Sequence, residues 1–90
     1  MIDKFTLRSK QEGYLGRSVY KLLSLNRKYR IIKKGDKVLD LGCYPGSWLQ
    51  VITELQADAY GVDIKQIYGL PKVKFILGDI TDKKTIDKIK

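Results

Sequence analysis

A short apolar segment that breaks at two glycines constrains the fold of this chain more than any other feature. The segment Lys37–Leu41 (KVLDL) is apolar enough for a buried parallel strand, and the residues GCYPG at 42–46 interrupt it. We predict a helix that is N-capped by Ser47 and runs through Gln56, because apolar side chains then recur three, four and seven residues apart. A strand, a glycine turn and a helix in this order predict the start of a βαβ unit.

The rest of the chain continues the alternation of helix and strand. A helix is predicted from Arg17 to about Tyr29, further strands at about 57–64 and 73–77, and a lysine-rich helix from Thr81 onward. Right-handed connections then give a parallel sheet of strand order 3-2-1, the first half of a doubly wound, Rossmann-like α/β fold. The first strand keeps one unpaired edge, so we expect a C-terminal half or a partner to cover it.

Ninety residues allow one domain and exclude two independent ones. We therefore predict a single domain over residues 1–90, truncated at its C-terminus, with residues 1–36 as a basic extension and helix within it. Charge supports that subdivision, because the whole net charge of +8 lies in the first 37 residues and the remainder is balanced. A basic surface of this kind suits a polyanion, which is a nucleic acid or an anionic membrane face, although a lysine-rich proteome gives a similar composition.

The basic charge is concentrated on one side of the helix predicted from Arg17. Arg17, Lys21 and Lys28 fall on one helical stripe, away from the leucines of the same segment.

Other kinds of site are excluded by residue types and segments that the sequence lacks. It has no histidine and a single cysteine, Cys43, which we interpret as structural, so we expect no metal site. No segment approaches the length of a membrane span and no signal peptide is recognisable, so we predict a cytoplasmic protein.

Polar and glycine residues follow each predicted strand, where open α/β sheets bind ligands. Gly42 and Gly46 allow close approach of a ligand and Pro45 stiffens the turn, but the spacing is not that of a GxGxxG dinucleotide site, so a cofactor without phosphates fits better. Asp63 ends the second strand and suits ribose hydroxyls, while Asp79 follows the third and suits an adenine amino group. Each residue also has a structural interpretation: a tight turn for the glycines and a helix cap for each aspartate.

Several segments together resemble one methyltransferase family. The segments VLDLGCYPGSW, GVDI and KFILGDITD are similar to the cofactor-binding half of the FtsJ/RrmJ family of S-adenosylmethionine-dependent ribose 2′-O-methyltransferases. Upstream, RSVYKL at 17–22 resembles the family helix that carries a catalytic lysine. The chain departs from the family pattern at Leu15 and Gly16, where an arginine and a serine are usual, and it lacks counterparts of the family's later catalytic Asp, Lys and Glu.

The resemblance implies roles for particular residues. Gly46 and Trp48 would contact the methionine part of S-adenosylmethionine, within the turn that also holds Gly42 and Pro45. Asp63 would bind the ribose and Asp79 the adenine of the same cofactor. Lys21 would be catalytic, with RNA contacts from Arg17 and Lys28.

The resemblance also implies a substrate, which is RNA and most often ribosomal RNA. Transfer RNA, a messenger cap or another methyl acceptor are alternatives. A noncatalytic RNA-binding module is a further alternative, because most of the family's catalytic set has no counterpart here. By composition alone Lys21 is one more solvated lysine and Trp48 a core residue.

Overall fold

The computed structural model describes residues 3–90, which form an α/β arrangement of four helices and three strands. Its helices and strands follow in chain order as α1 (Lys4–Gln11), α2 (Val19–Tyr29), β1 (Lys37–Leu41), α3 (Ser47–Glu54), β2 (Asp58–Asp63), β3 (Lys74–Leu77) and α4 (Lys83–Ile89). The predicted alternation of helix and strand from residue 17 onward is therefore confirmed. Among the described residues, no helix is long and apolar enough to cross a bilayer.

The three strands form one parallel sheet of order β1-β2-β3, so the predicted order 3-2-1 is confirmed. Lys37 lies opposite Asp58 at the amino end of the first pair, and Asp63 lies opposite Leu77 at the carboxyl end of the second. Since all three strands run in the same direction, their carboxyl ends share one edge of the sheet. The predicted site residues after each strand therefore meet at that edge.

Helix α3 covers one face of the sheet and forms the main core with it. Leu49 and Ile52 of α3 are fully buried against Cys43, Ala59 and other side chains of the sheet layer. Gly61 of β2 permits this contact, because a Cβ at that position would stand 2.7 Å from a methyl carbon of Leu49. The close packing of α3 fixes the glycine turn that precedes it.

Helix α2 packs against α3 through the buried residues Val19, Leu22 and Val51. Three predicted boundaries of α2 and α3 were wrong. Helix α2 begins at Val19, so Arg17 lies in the turn before it. The N-cap of α3 is Gly46 and not Ser47, and α3 ends at Glu54, before Gln56 adopts the left-handed conformation with φ of 63°.

Helix α1 was not predicted from the sequence. It buries only Ser9 of its own residues, so it lacks the apolar periodicity that reveals an amphipathic helix. Asp3 caps it by accepting a hydrogen bond from the Thr6 amide at 2.9 Å. The guanidinium carbon of Arg8 lies 4.5 Å from the ring centroid of Tyr20, which attaches α1 to α2. Contacts between distant residues, and not local propensity, account for this helix.

We expect the Gly46→Ala substitution to destabilise the fold strongly. Gly46 has a φ of 111°, and a Cβ there would stand 2.6 Å from a methyl carbon of Leu70. Backbone strain at such a residue costs about 1–3 kcal/mol, and displacement of Leu70 adds to that cost. Thermal unfolding should show a melting temperature at least about 8 °C lower.

Gly35→Ala is the matched control for that substitution. Gly35 also has a positive φ, 86°, but nothing lies within 4 Å of the position of its added Cβ. The Gly35→Ala variant should lose only the stability that backbone strain at a positive φ costs. Equal losses in the two variants would show that contact with Leu70 does not constrain position 46.

Candidate functional site

The candidate site lies along the carboxyl edge of the sheet. Backbone hydrogen bonds hold the strand ends together there: the Gly42 amide donates to Val62 at 2.8 Å, and the Gly78 amide donates to Asp63 at 2.9 Å. The sheet therefore brings three predicted ligand-binding features to one edge, which are the glycine turn, Asp63 and Asp79.

Two adjacent cavities open along this edge. The larger has a volume of about 280 Å³ and is lined by Ser18, Asp40, Gly42, Cys43, Tyr44, Pro45, Ser47 and Trp48. The smaller has a volume of about 120 Å³ and is lined by Gly42, Val62, Asp63, Ile64, Asp79 and Ile80. Gly42 lines both, so the cavities are neighbours, and we call them together the crevice and each of them a compartment. Gly46 lines neither cavity but is the N-cap of the helix that begins beside the larger one.

The glycine turn keeps space and hydrogen-bond donors available beside the crevice. Gly42 has a φ of 73°, and nothing lies within 4 Å of where its Cβ would stand, so a side chain there would fill space that is now open. Within residues 3–90, no side chain accepts a hydrogen bond from the first amides of α3. The first amide groups of a helix lack partners within the helix, so those of α3 are suited to bind an anionic group of a ligand.

Asp63 is held in a fixed orientation by two backbone amides. Its Oδ2 accepts from the Tyr44 amide at 2.8 Å and its Oδ1 from the Lys65 amide at 2.9 Å. These bonds, with that of Lys65 contributing most, hold the pKa of the carboxyl below its usual range. A carboxylate offers about four acceptor positions, so Asp63 retains capacity for two further donors such as a pair of hydroxyls.

Asp79 is oriented by one residue only. Its Oδ1 accepts from both the amide of Thr81, at 2.9 Å, and the hydroxyl of Thr81, at 2.7 Å. These bonds lower the pKa of the Asp79 carboxyl. Within residues 3–90, Oδ2 of Asp79 receives no hydrogen bond and can accept one from a ligand. The cap of α4 is Asp82, so Asp79 stabilises the preceding turn and does not cap the helix.

Asp40 is a site residue that the sequence analysis did not single out. It lines the larger cavity from within β1, where it is half-buried. Burial raises the pKa of its carboxyl, and the nearby charge of Asp63 raises it further. The signal in the sequence was a charged residue inside an otherwise apolar strand, just before the glycine turn.

We expect the Asp40→Asn substitution to stabilise the protein at neutral pH. Because burial raises the pKa of Asp40 above its ordinary value of 3.8, the ionised carboxyl costs stability as pH rises through and above that raised pKa. The asparagine removes that cost, so its stabilising effect should shrink as pH falls and disappear once the carboxyl is protonated in both the folded and unfolded parent. Urea unfolding across this pH range measures the difference. Asp58→Asn, an exposed change at the start of β2, is the control, and equal behaviour of the two variants would contradict the prediction.

Hydrogen bonds join the start of α2 to the wall of the larger cavity. The indole nitrogen of Trp48 donates to the carbonyl of Ser18 at 3.1 Å, and the hydroxyls of Ser18 and Ser47 share a hydrogen bond at 3.0 Å. Trp48 also packs against the α2–α3 core, so it is both a core residue and part of the cavity wall. The sequence analysis did not assign Ser18 or Ser47 to the site, because their role in the cavity wall depends on the packing of two helices.

The structure places Lys21 beside the crevice but not in its wall. Lys21 is exposed and lines neither cavity. It lies three residues after Ser18, and residues at this spacing share one side of a helix. Since Ser18 lines the larger cavity, the Lys21 side chain starts one helical turn from the cavity mouth.

The other predicted RNA-binding residues also lie on the surface. Arg17 is exposed and forms an ion pair with Asp3 at 2.6 Å. Lys28 is exposed near the end of α2, with its ammonium 5.2 Å from the ring centroid of Tyr29. All three basic side chains thus face solvent, but only Lys21 and Lys28 lie within α2, because Arg17 precedes the helix.

Cys43 contributes to the wall of the larger cavity but is not in a reactive environment. It is buried in the core, and burial raises the pKa of its thiol to about 11, with smaller effects from Asp40 and Asp63. The thiol is therefore protonated at neutral pH and unsuited to nucleophilic attack, in agreement with a structural role. Among residues 3–90, no group of three potential metal-ligating side chains comes together.

Comparison with known proteins connects this crevice with a family. The profile of the family described as FtsJ-like methyltransferase matches residues 14–90. The chain belongs to the FtsJ-like methyltransferase family. A relative from Archaeoglobus fulgidus, named ribosomal RNA large subunit methyltransferase E, is 47% identical over 88 residues, which cover 98% of this chain and 46% of that protein.

Two further FtsJ-like relatives agree with this assignment. A protein of the same name from Methanothrix thermoacetophila is 44% identical over 97% of this chain and 34% of its own length. A crystal structure from Plasmodium falciparum, described as a ribosomal RNA methyltransferase, superposes with a TM-score of 0.69 and is 41% identical, covering 79% of this chain and 41% of the other. The chain thus spans less than half the length of these relatives, and its Rossmann-like fold is shared with them.

An FtsJ-like methyltransferase requires a methyl donor, and the crevice has the features needed to hold an organic one. It offers an open space at Gly42, uncapped amides at the start of α3, and unused acceptor positions on Asp63 and Asp79. The predicted residues Gly42, Pro45 and Trp48 line the larger compartment, and Asp63 and Asp79 line the smaller.

Proposed function

We propose that this chain is the cofactor-binding half of a ribosomal RNA ribose 2′-O-methyltransferase that uses S-adenosylmethionine. The two-compartment crevice carries the proposal, because it places two oriented carboxylates and a glycine turn at successive strand ends. A cofactor with an adenosine end and an amino-acid end needs two such compartments. The names of the relatives support ribosomal RNA as the substrate.

Each compartment has residues suited to one end of that cofactor. In the smaller, Asp63 would accept hydrogen bonds from the two ribose hydroxyls and Oδ2 of Asp79 one from the adenine amino group. In the larger, Trp48 and the turn at Pro45 and Gly46 would hold the methionine part. Bound S-adenosylmethionine supplies an electrophilic methyl group on a sulfonium.

Lys21 is the proposed catalytic residue of the chain. A ribose 2′-hydroxyl is a weak nucleophile until its proton is withdrawn, and the chain has no histidine to do so. Lys21 Nζ in its neutral form would orient that hydroxyl and accept its proton, while the oxygen bonds to the methyl carbon and the carbon–sulfur bond breaks to leave S-adenosylhomocysteine. The hydrogen bonds of Ser18 with Ser47 and Trp48 would hold α2 in position for this contact.

Arg17 and Lys28 are the proposed contacts for RNA phosphates, as part of the basic region 1–36. Arg17 would exchange its exposed ion pair with Asp3 for a phosphate at little cost, because such pairs contribute little in water. A ribosomal RNA substrate is compatible with the predicted cytoplasmic location.

Methyl transfer tests the proposed function directly. The chain is joined to the part of the Archaeoglobus fulgidus relative that the alignment leaves uncovered. It is supplied with methyl-labelled S-adenosylmethionine and with large-subunit ribosomal RNA or, in a parallel reaction, transfer RNA. We expect label in RNA, at a ribose that becomes resistant to alkaline cleavage. Label in a base, in transfer RNA only, or in no RNA would contradict the proposal.

A noncatalytic RNA-binding module is the second candidate, favoured by the exposed basic stripe of α2. It predicts RNA affinity that falls steeply with salt and a chain that does not bind S-adenosylmethionine. Binding measurements on the 90-residue chain alone therefore separate the two candidates.

A further inference from the structure

Two side chains without a role in the crevice meet at its rim. Tyr44 lines the larger compartment and leaves 51% of its surface exposed, which is unusual for a ring beside a cavity. The ammonium nitrogen of Lys65 lies 5.0 Å from the centroid of the Tyr44 ring. The two residues come from different strand ends, so the fold and not the local sequence brings them together.

The two residues share one anchor. The backbone amides of Tyr44 and Lys65 donate to the two oxygens of the Asp63 carboxylate, at 2.8 Å and 2.9 Å. The backbone at both residues is therefore fixed relative to the crevice, while the side chains remain at the surface. A ring held in this way loses little further freedom when it contacts a ligand.

We propose that Tyr44 stacks on a base of the RNA substrate and that Lys65 contacts a neighbouring phosphate. Unpaired RNA bases are commonly bound by aromatic faces next to cationic side chains. The inference rests on the proposed function, and it adds a substrate-binding element on the side of the crevice formed by the glycine turn. Lys65 lies outside the basic N-terminal region, in a part of the chain with no net charge, so it is a local cation beside the ring.

The base that stacks on Tyr44 belongs to RNA and not to the cofactor. Tyr44 lines the larger compartment and is absent from the lining of the smaller, which contains Asp63 and Asp79. The adenine of the cofactor is assigned to the smaller compartment through Asp79. The exposed ring in the wall of the larger compartment is then available to a second base.

The test measures binding of the chain to fluorescein-labelled single-stranded oligo(A) by fluorescence anisotropy at low salt. Tyr44→Ala should weaken binding at least about fivefold, because stacking on a protein ring contributes at least that much per base. Tyr44→Phe keeps the ring and should bind like the parent. Tyr68→Ala is the matched control, since Tyr68 is 79% exposed and lines neither compartment.

The phosphate contact has a separate signature. Lys65→Gln should lower the slope of log affinity against log salt concentration by about one, as expected for one lost phosphate contact. Lys72→Gln removes the same charge outside the crevice and should leave the slope unchanged. Equal slopes for the parent and Lys65→Gln would remove Lys65 from the proposal.

A parallel titration with S-adenosylmethionine separates this proposal from the proposed function. Tyr44→Ala should lower RNA affinity by a larger factor than cofactor affinity, because the bond to Asp63 comes from the backbone and Pro45 and Trp48 still line the compartment. Loss of cofactor affinity with RNA affinity intact would overturn the stacking role and assign Tyr44 to the cofactor. An unchanged RNA affinity would also overturn it and leave the proposed function standing, whereas a parent chain that binds no RNA would contradict both.

Discussion

We expect the Lys21→Ala variant of the completed methyltransferase to transfer methyl groups to RNA about 10²- to 10⁴-fold more slowly than the parent, the usual contribution of a positioned acid–base group. Cofactor affinity should stay unchanged, because Lys21 lines neither compartment of the crevice. The test measures the rate at saturating RNA, because a lost phosphate contact would change only the RNA concentration that gives half of the maximal rate.

Lys34→Ala is the control for Lys21. It removes the same charge from the turn before β1, at the opposite end of the sheet from the crevice, and it should leave the saturated rate unchanged. If Lys21→Ala behaves like Lys34→Ala at saturating RNA, Lys21 is a solvated lysine and the catalytic assignment is wrong.

Removing the carboxylate of Asp63 should produce the largest loss of cofactor binding. A hydrogen bond to a charged group contributes about 1.5–3 kcal/mol, so losing two ribose hydroxyl contacts should weaken affinity for S-adenosylmethionine at least about 100-fold in Asp63→Ala. The same substitution leaves the amides of Tyr44 and Lys65 without their acceptor, which loosens both strand ends.

Asp58→Ala is the control variant, because it removes the same charge from the same strand, β2. Asp58 begins the strand that Asp63 ends, and its exposed side chain is far from the crevice along the strand. Calorimetry on both variants, after circular dichroism has shown that each is folded, gives the comparison. An Asp63→Ala variant that binds as tightly as Asp58→Ala would show that the ribose is not held by this carboxylate.

The sheet and the position of the crevice could be predicted because local rules determine them. An apolar strand, a glycine turn and an amphipathic helix have one usual right-handed arrangement, which leads to the observed strand order. Parallel strands then bring their carboxyl ends to one edge, so Gly42, Asp63 and Asp79 could be grouped without coordinates.

Features that depend on contacts between distant residues could not be predicted in the same way. Helix α1 is polar, and it is attached to the rest of the fold through Arg8 and Tyr20, which are twelve positions apart. The contact of Ser18 with Trp48 arises only when α2 packs on α3. The boundary error at Gly46 has a local cause, since a glycine with positive φ takes the capping position that serine usually prefers.

Calorimetric titration of S-adenosylmethionine into the 90-residue chain tests the proposed cofactor site most directly. Trp48 is the single tryptophan and lines the larger compartment, so its fluorescence can follow the same titration without a label. We predict saturable binding at one site, accompanied by a change in Trp48 emission and strongly weakened by Asp63→Ala. A folded chain that neither releases heat nor changes its fluorescence with the cofactor would contradict the assignment of this crevice to the methyl donor.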